Sequence, residues 1–272
     1  MNFSDRLRSI QRQNKSLLCV GLDPDLSKIP LALRTDPHSI ITFNREIIKA
    51  TQDLVCAYKL NLAFYEALGE AGWSVVHRTL SFIPGNIVTI GDAKRGDIGN
   101  TAELYAKSLL DDYGFMATTV SPYMGADSVA PFISREDRGA FVLAVTSNPG
   151  ARDLQYLKVK GKPVYEHVIA RVKKWNVLQN CGLVVGATKP RELKRVRSLA
   201  PGMPLLIPGI GAQGGDLKSA VRYGCDENGE MALINASRSI MYASGGSDFA
   251  DAARREASKL RDAINSYREE FF

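Results

Sequence analysis

Ile87-Val88-Thr89-Ile90-Gly91-Asp92-Ala93-Lys94-Arg95-Gly96-Asp97-Ile98-Gly99-Asn100-Thr101 changes character twice along its length. The opening run is apolar and β-branched, which is how a buried strand reads. Charged residues follow at Asp92, Lys94, Arg95 and Asp97, and from Ala102 to Leu110 the apolar spacing becomes helical. Asn100 with Glu103 predicts a capping box at the helix start. The charges therefore sit where a strand ends and a helix begins. Residues two apart share a strand face, so Asp92 and Lys94 are expected to point the same way. Asp97, set after Gly96, either turns back toward them or points outward to a neighbour. A surface loop with incidental ion pairs would also produce such a pattern. Alternating carboxylate and ammonium groups are costly to bury unless each is paired, so their placement at a strand end marks a candidate site.

Outward from this stretch, strand and helix signals alternate along the whole chain. Strands are predicted at Leu17–Gly21, Leu54–Leu60, Ile87–Asp92, Met116–Ser121, Ala140–Thr146, Gly182–Ala187, Leu205–Pro208 and Ala232–Ala236. Helical patterns lie between them, for example at Ile40–Thr51, Thr101–Asp111, Val164–Val177 and Arg191–Leu199, and a last helix runs from Phe249 to about Tyr267. An N-terminal helix over Asn2–Gln13 carries Phe3, Leu7 and Ile10 on one side and is expected to plug a barrel bottom. Strands alternating with helices imply a parallel sheet. Eight such units close most economically into a (β/α)8 TIM barrel of the α/β class. The 272 residues suit one such barrel. With no low-complexity linker and no shift in composition, residues 1–272 read as a single domain.

Composition excludes several classes of function. Hydrophobic content of 45% with 24% charge describes a soluble globular protein. An excess of 35 Lys+Arg over 29 Asp+Glu gives +6, a mild bias suited to an anionic ligand. It lacks the clustered basicity of a nucleic-acid binder, so no nucleic-acid partner is expected. No run of about 18 apolar residues predicts a membrane span, and the polar Asn2–Lys15 does not read as a signal peptide. A cytoplasmic location is expected. Cys19, Cys56, Cys181 and Cys225 form no C-x-x-C pair and read as reduced core residues. His38, His77 and His167 are scattered without metal-ligand spacing, so no metal site is expected.

In a barrel of this kind, chemistry collects at the carboxyl ends of the strands. The first strand ends in Gly21-Leu22-Asp23-Pro24-Asp25, where Asp23 is an acceptor for ligand hydroxyls or simply a turn former before proline. The second closes on Lys59, which inside an apolar strand must find an anion or reach water. The seventh runs into Gly209-Ile210-Gly211-Ala212-Gln213-Gly214-Gly215-Asp216. Glycines there, Gly211 among them, let backbone N–H groups approach a phosphate, and the following helix start favours an anion. The eighth ends in Asn235-Ala236-Ser237-Arg238, placing a planar guanidinium beside that loop. Either feature alone is a turn or a surface charge. Together at the last two strand ends they form the usual phosphate site of the fold.

Asp92-Ala93-Lys94-Arg95-Gly96-Asp97-Ile98-Gly99-Asn100-Thr101 resembles the signature of the orotidine 5′-phosphate decarboxylases. D-x-K-x-x-D alone is shared with sugar-phosphate relatives, and the Ile-Gly-Asn-Thr continuation makes the match specific. The resemblance extends from Gly21-Leu22-Asp23 to Arg238 and is to the longer bacterial branch. It implies decarboxylation of orotidine monophosphate to UMP in pyrimidine synthesis, with no cofactor. Lys94 would protonate C6, with Asp92 and Asp97 holding its ammonium, and Lys59 would touch ribose and the catalytic aspartate. Thr146 or Ser147 would meet the pyrimidine, and Gln213 and Arg238 would grip the phosphate. The resemblance further implies a homodimer in which Asp97 and Thr101 reach the neighbour's site. The short loop after the seventh strand departs from the family, and the long segment Ala151–Lys162, with few apolar anchors, is expected to act as a mobile cover instead.

Two other functions fit parts of this pattern. A hexulose-phosphate synthase type of enzyme would use the same D-x-K-x-x-D to hold Mg2+ against an enediolate. A non-catalytic nucleotide-binding barrel would keep the phosphate grip alone, although a pure binder gains nothing from buried alternating charges.

Overall fold

Short aliphatic runs buried on both faces are stable as a parallel sheet wrapped in helices. The computed structural model describes residues 1–34, 38–211 and 215–272. In chain order its strands are β1 (Leu18–Gly21), β2 (Ala57–Asn61), β3 (Val88–Arg95), β4 (Ala117–Val120), β5 (Gly139–Val145), β6 (Lys158–Val159), β7 (Lys162–Pro163), β8 (Cys181–Val185), β9 (Leu205–Pro208) and β10 (Ala232–Ala236). Eight of them close into a barrel in the order β1-β10-β9-β8-β5-β4-β3-β2, every pair parallel. This is the (β/α)8 architecture. β6 and β7 form a separate antiparallel hairpin.

The N-terminal helix, Phe3–Gln13, is capped by the Asn2 side chain, which accepts from the Asp5 N–H. It buries Phe3, Leu7 and Ile10 against the barrel. The Phe3 ring meets Phe141 edge to face at 5.9 Å and fills the space where a Cβ at Gly139 would stand. Gln11 joins the helix to the start of β10, donating to Ala232 O at 2.8 Å and accepting from the Met231 N–H at 3.0 Å. Arg8 and Arg12 complete the seam through Glu230. The helix thus covers the amino ends of the strands, leaving the carboxyl ends open. All four cysteines are free and buried, and none of the described helices is long and apolar enough to cross a membrane.

Two local expectations, the Asn100 capping box and the open helix start after β9, are corrected, and the segment Ala151–Lys162 takes regular structure. The helix after β3 begins at Gly99 with Ile98 at its cap, so Asn100 already stands inside the first turn and no side-chain cap closes that end. It runs to Ala106 and continues as a π-helical turn over Lys107–Asp112. The segment Ala151–Lys162 is a helical turn at Ala151–Leu154 followed by the β6–β7 hairpin, and none of its residues lines the cavity at the barrel mouth. The helix after β9, Leu217–Gly224, is not open to an external anion. Asp216 caps it, its carboxylate accepting from the Lys218 and Ser219 N–H groups.

Candidate active site

A cavity of about 640 Å³ opens at the carboxyl ends of the strands. β2 delivers Lys59 to its floor as an almost completely buried ammonium. Such a charge survives only beside counter-charges. Lys59 Nζ lies 3.1 Å from Asp92 Oδ2 and 3.7 Å from Asp23 Oδ1. Burial alone would lower the lysine pKa, but the Asp23 and Asp92 carboxylates more than offset it and leave the group above the ordinary lysine range. Burial alone would likewise raise Asp92. Lys59 and Lys94, with the Thr119 hydroxyl, reverse this and hold its carboxyl at about 2. Both groups therefore stay charged at neutral pH.

Lys94 Nζ meets the other oxygen of the same carboxylate, 2.6 Å from Asp92 Oδ1, and is half exposed to the cavity. The expected juxtaposition is present, but not through regular strand alternation. Lys94 has φ +47°, in the left-handed region, which costs an L-residue about 1–2 kcal/mol. The β3–β4 register shifts between Gly91 and Arg95, and Lys94 lies inside the irregularity. Its N–H donates to Thr119 Oγ1 at 2.9 Å, and Thr119 Oγ1 donates to Asp92 Oδ1 at 2.8 Å. Thr119 was not among the expected site residues. Its only sequence signal is a hydroxyl in a short buried strand.

Asp23 lines the cavity and accepts from the Asn61 N–H at 3.2 Å. Tyr242, also not anticipated, fixes that strand end. Its hydroxyl donates to Asp23 O at 2.9 Å and accepts from the Asp25 N–H at 2.7 Å. Thr146 and Ser147 both line the cavity. The Thr146 hydroxyl donates to Asn148 Oδ1 at 2.6 Å and accepts from Gln155 Nε2 at 2.7 Å.

On the opposite rim, Gly209, Ile210 and Arg238 line the cavity. Gly209 and Gly211 have φ of +107° and +82°, backbone that only glycine adopts without strain. Gly211 itself stands just outside the lining, and Gln213 lies outside the described residues. Arg238 is exposed and has no ion-pair partner among the described residues, so its guanidinium is available to an anion. Asp97 and Thr101 are not brought to this cavity. Asp97 accepts from the Ile98 N–H at 2.8 Å, and Thr101 is exposed on the following helix.

A carboxylate clamped between two ammonium groups, facing a cavity with an arginine at its far rim, suits an anionic substrate whose negative charge shifts position during reaction. The family model of the orotidine 5′-phosphate decarboxylase / HUMPS family matches residues 16–254. The chain belongs to that family. Within the orotidine 5′-phosphate decarboxylase / HUMPS family it is similar to the orotidine 5′-phosphate decarboxylase of Dehalococcoides mccartyi, with 51% identity covering all of both chains. The Herpetosiphon aurantiacus enzyme of the same name is 50% identical over 97% of this chain and 99% of its own. Among solved structures, Leishmania donovani OMP decarboxylase superposes with a TM-score of 0.88 at 40% identity, covering 99% of this chain and 100% of that one. Full-length similarity to decarboxylases separates this chain from the sugar-phosphate side of the family and makes it a carbon–carbon lyase of pyrimidine biosynthesis.

Proposed function

We propose that the barrel mouth converts orotidine 5′-phosphate to UMP by direct decarboxylation, with Lys94 as the proton donor and no cofactor. The observation that carries this reading is the half-exposed Lys94 ammonium, pinned 2.6 Å from Asp92 Oδ1 inside a cavity that also holds an arginine. Breaking the C6–carboxylate bond leaves its electron pair on C6, where no carbonyl is placed to delocalise it. A pre-positioned ammonium stabilises that charge without reorganisation, then transfers a proton to C6 and is reprotonated from solvent. Lys59 keeps Asp92 ionised and, with Asp23, offers a donor and an acceptor to ribose hydroxyls. Arg238 and the backbone of the Gly209–Gly211 loop, with Gln213, bind the phosphate, and Thr146 or Ser147 meets the pyrimidine. Binding energy from phosphate and ribose then acts at the reacting carbon.

Residues 1–272 act as one barrel domain, and the active form is a homodimer in the cytoplasm. Support for the dimer comes from Asp97 and Thr101, which lie outside their own cavity beside the exposed apolar side chains of Ile98 and Leu104. A two-fold interface presents the same loop to both sites. Against an Mg2+-dependent sugar-phosphate reaction stands the occupancy of Asp92. Lys94 and Thr119 take Oδ1 and Lys59 takes Oδ2, so a cation there would have to displace two ammonium groups. The test is the ultraviolet absorbance change of orotidine monophosphate mixed with purified protein in EDTA. Turnover is expected to survive the chelator. UMP binding without turnover would establish a nucleotide binder instead.

A further inference from the structure

The hydrogen-bond ladder between β3 and β4 breaks beside the charged cluster. Gly91 pairs with Thr118 and Arg95 with Val120, so Asp92, Ala93 and Lys94 stand opposite Thr119 alone. Extra residues on one strand lose their ladder partners and must find others. The Lys94 N–H finds Thr119 Oγ1 at 2.9 Å, and the same hydroxyl donates to Asp92 Oδ1 at 2.8 Å. Asp92 Oδ1 also accepts from Lys94 Nζ at 2.6 Å. The ring begins and ends on Lys94. Thr119 is 1% exposed and lines the cavity floor, so no bulk water substitutes for its hydroxyl.

We propose that Thr119 is a positioning residue for proton transfer, holding the left-handed Lys94 backbone and the Asp92 carboxylate in one frame so that Lys94 Nζ stands at a set place over the reacting carbon. This rests on the decarboxylase reading above. A hydroxyl has one proton to give and lone pairs to accept, and Thr119 uses both functions on the two residues that matter most. Valine has nearly the same shape but neither function. It would leave the Lys94 N–H unpartnered and deprive Asp92 of a donor, so nothing would hold the backbone in its strained conformation. A misplacement of about 1 Å at a reacting group costs roughly a hundredfold in rate. Phosphate and ribose contacts do not pass through Thr119, so ground-state affinity should persist.

The experiment compares Thr119→Val and Thr119→Ser with wild type by steady-state kinetics on orotidine monophosphate, calorimetric UMP affinity and thermal midpoint. Thr119→Val is expected to lower kcat by roughly 10–100-fold, with KM and UMP affinity within a few-fold of wild type. Thr119→Ser, which restores the hydroxyl, is expected to recover most of kcat. Full activity of Thr119→Val beside an active wild type overturns the positioning role alone. Parallel loss of kcat and UMP affinity that serine does not rescue overturns it in favour of a structural role. Should Thr119→Val fail to fold, Thr119→Ala is read by the same criteria. A wild type without turnover removes both this inference and the reading beneath it.

Discussion

Lys59 Nζ stands 3.1 Å from Asp92 Oδ2, and both side chains are nearly withdrawn from solvent, at 5% and 11% exposure. Each charge relies on the other, with Asp23 as a further partner of Lys59 and Lys94 as a further partner of Asp92. That mutual dependence makes the pair a determinant of stability as well as chemistry.

Its pH dependence follows in sign. Asp92 is depressed to about 2 in the folded chain, so its contribution is whole above about pH 4 and is lost as pH falls toward 2, about 2 kcal/mol in all. Lys59 is raised, so its contribution is whole below the unfolded value of about 10.4 and is lost only in more alkaline solution. Lys59→Met should therefore cost about 3 kcal/mol at pH 7, the low end for a broken buried pair, because Asp92 loses one of its two ammonium partners and keeps Lys94 and Thr119. The cost should shrink near pH 3, because without Lys59 that carboxylate is easier to protonate. Urea denaturation at the two pH values measures it. An equal loss at both would mean the pair is not what holds this floor together.

Lys94→Ala should abolish the chemical step and leave UMP binding within several-fold of wild type, because the ammonium is half exposed and its partner Asp92 keeps Lys59 and Thr119. Single-turnover kinetics and calorimetry separate the two effects. Equal loss of both would give Lys94 a structural role.

Arg238→Ala should weaken nucleotide far more than nucleoside. Removing a charge-assisted, bidentate contact costs roughly 2–5 kcal/mol when its partner is left desolvated. Part of the loss should appear in kcat, since phosphate binding energy acts at the reacting carbon. Competition experiments with UMP and uridine decide the point, and an equal loss for both ligands would take the phosphate away from Arg238.

Inactive Lys94→Ala and Asp97→Ala proteins should regain activity when dissociated, mixed and reassociated. If Asp97 serves the partner's site, a mixed dimer holds one doubly defective site and one intact site. Random pairing makes about half the dimers mixed, so about a quarter of wild-type activity should return. If Asp97 serves its own chain, every site keeps a defect and the mixture stays silent.

Much of the candidate site was legible because its signals are local. An ammonium at the end of an apolar run, as at Lys59, must be paired or solvated wherever the chain goes. Glycines at one strand end followed by an arginine at the next read as a candidate anion site through general backbone chemistry. The segment Ala151–Lys162 was less legible from its sequence. Its lysines and sparse apolar anchors read as a loose cover, yet Lys160 and Gly161, both at positive φ, turn a two-stranded hairpin. Gln155 ties the segment to Thr146 through two hydrogen bonds.

The alternation of strand and helix, the closed parallel barrel and most of the residues that line its mouth can be read from the chain alone, because periodicity and strand-end charge are properties of short segments. Only the tertiary structure decided how Asp92 and Lys94 meet. Regular alternation would have placed them on one face, but a register shift against β4 turns Lys94 left-handed and recruits Thr119, a residue distant in sequence. It also decided that Asp216 fills the helix end beside the glycine loop and that Tyr242 fixes Asp23. Such pairings depend on which strands become neighbours when the barrel closes, and no local pattern encodes the register of two strands whose hydrogen-bond ladder is interrupted.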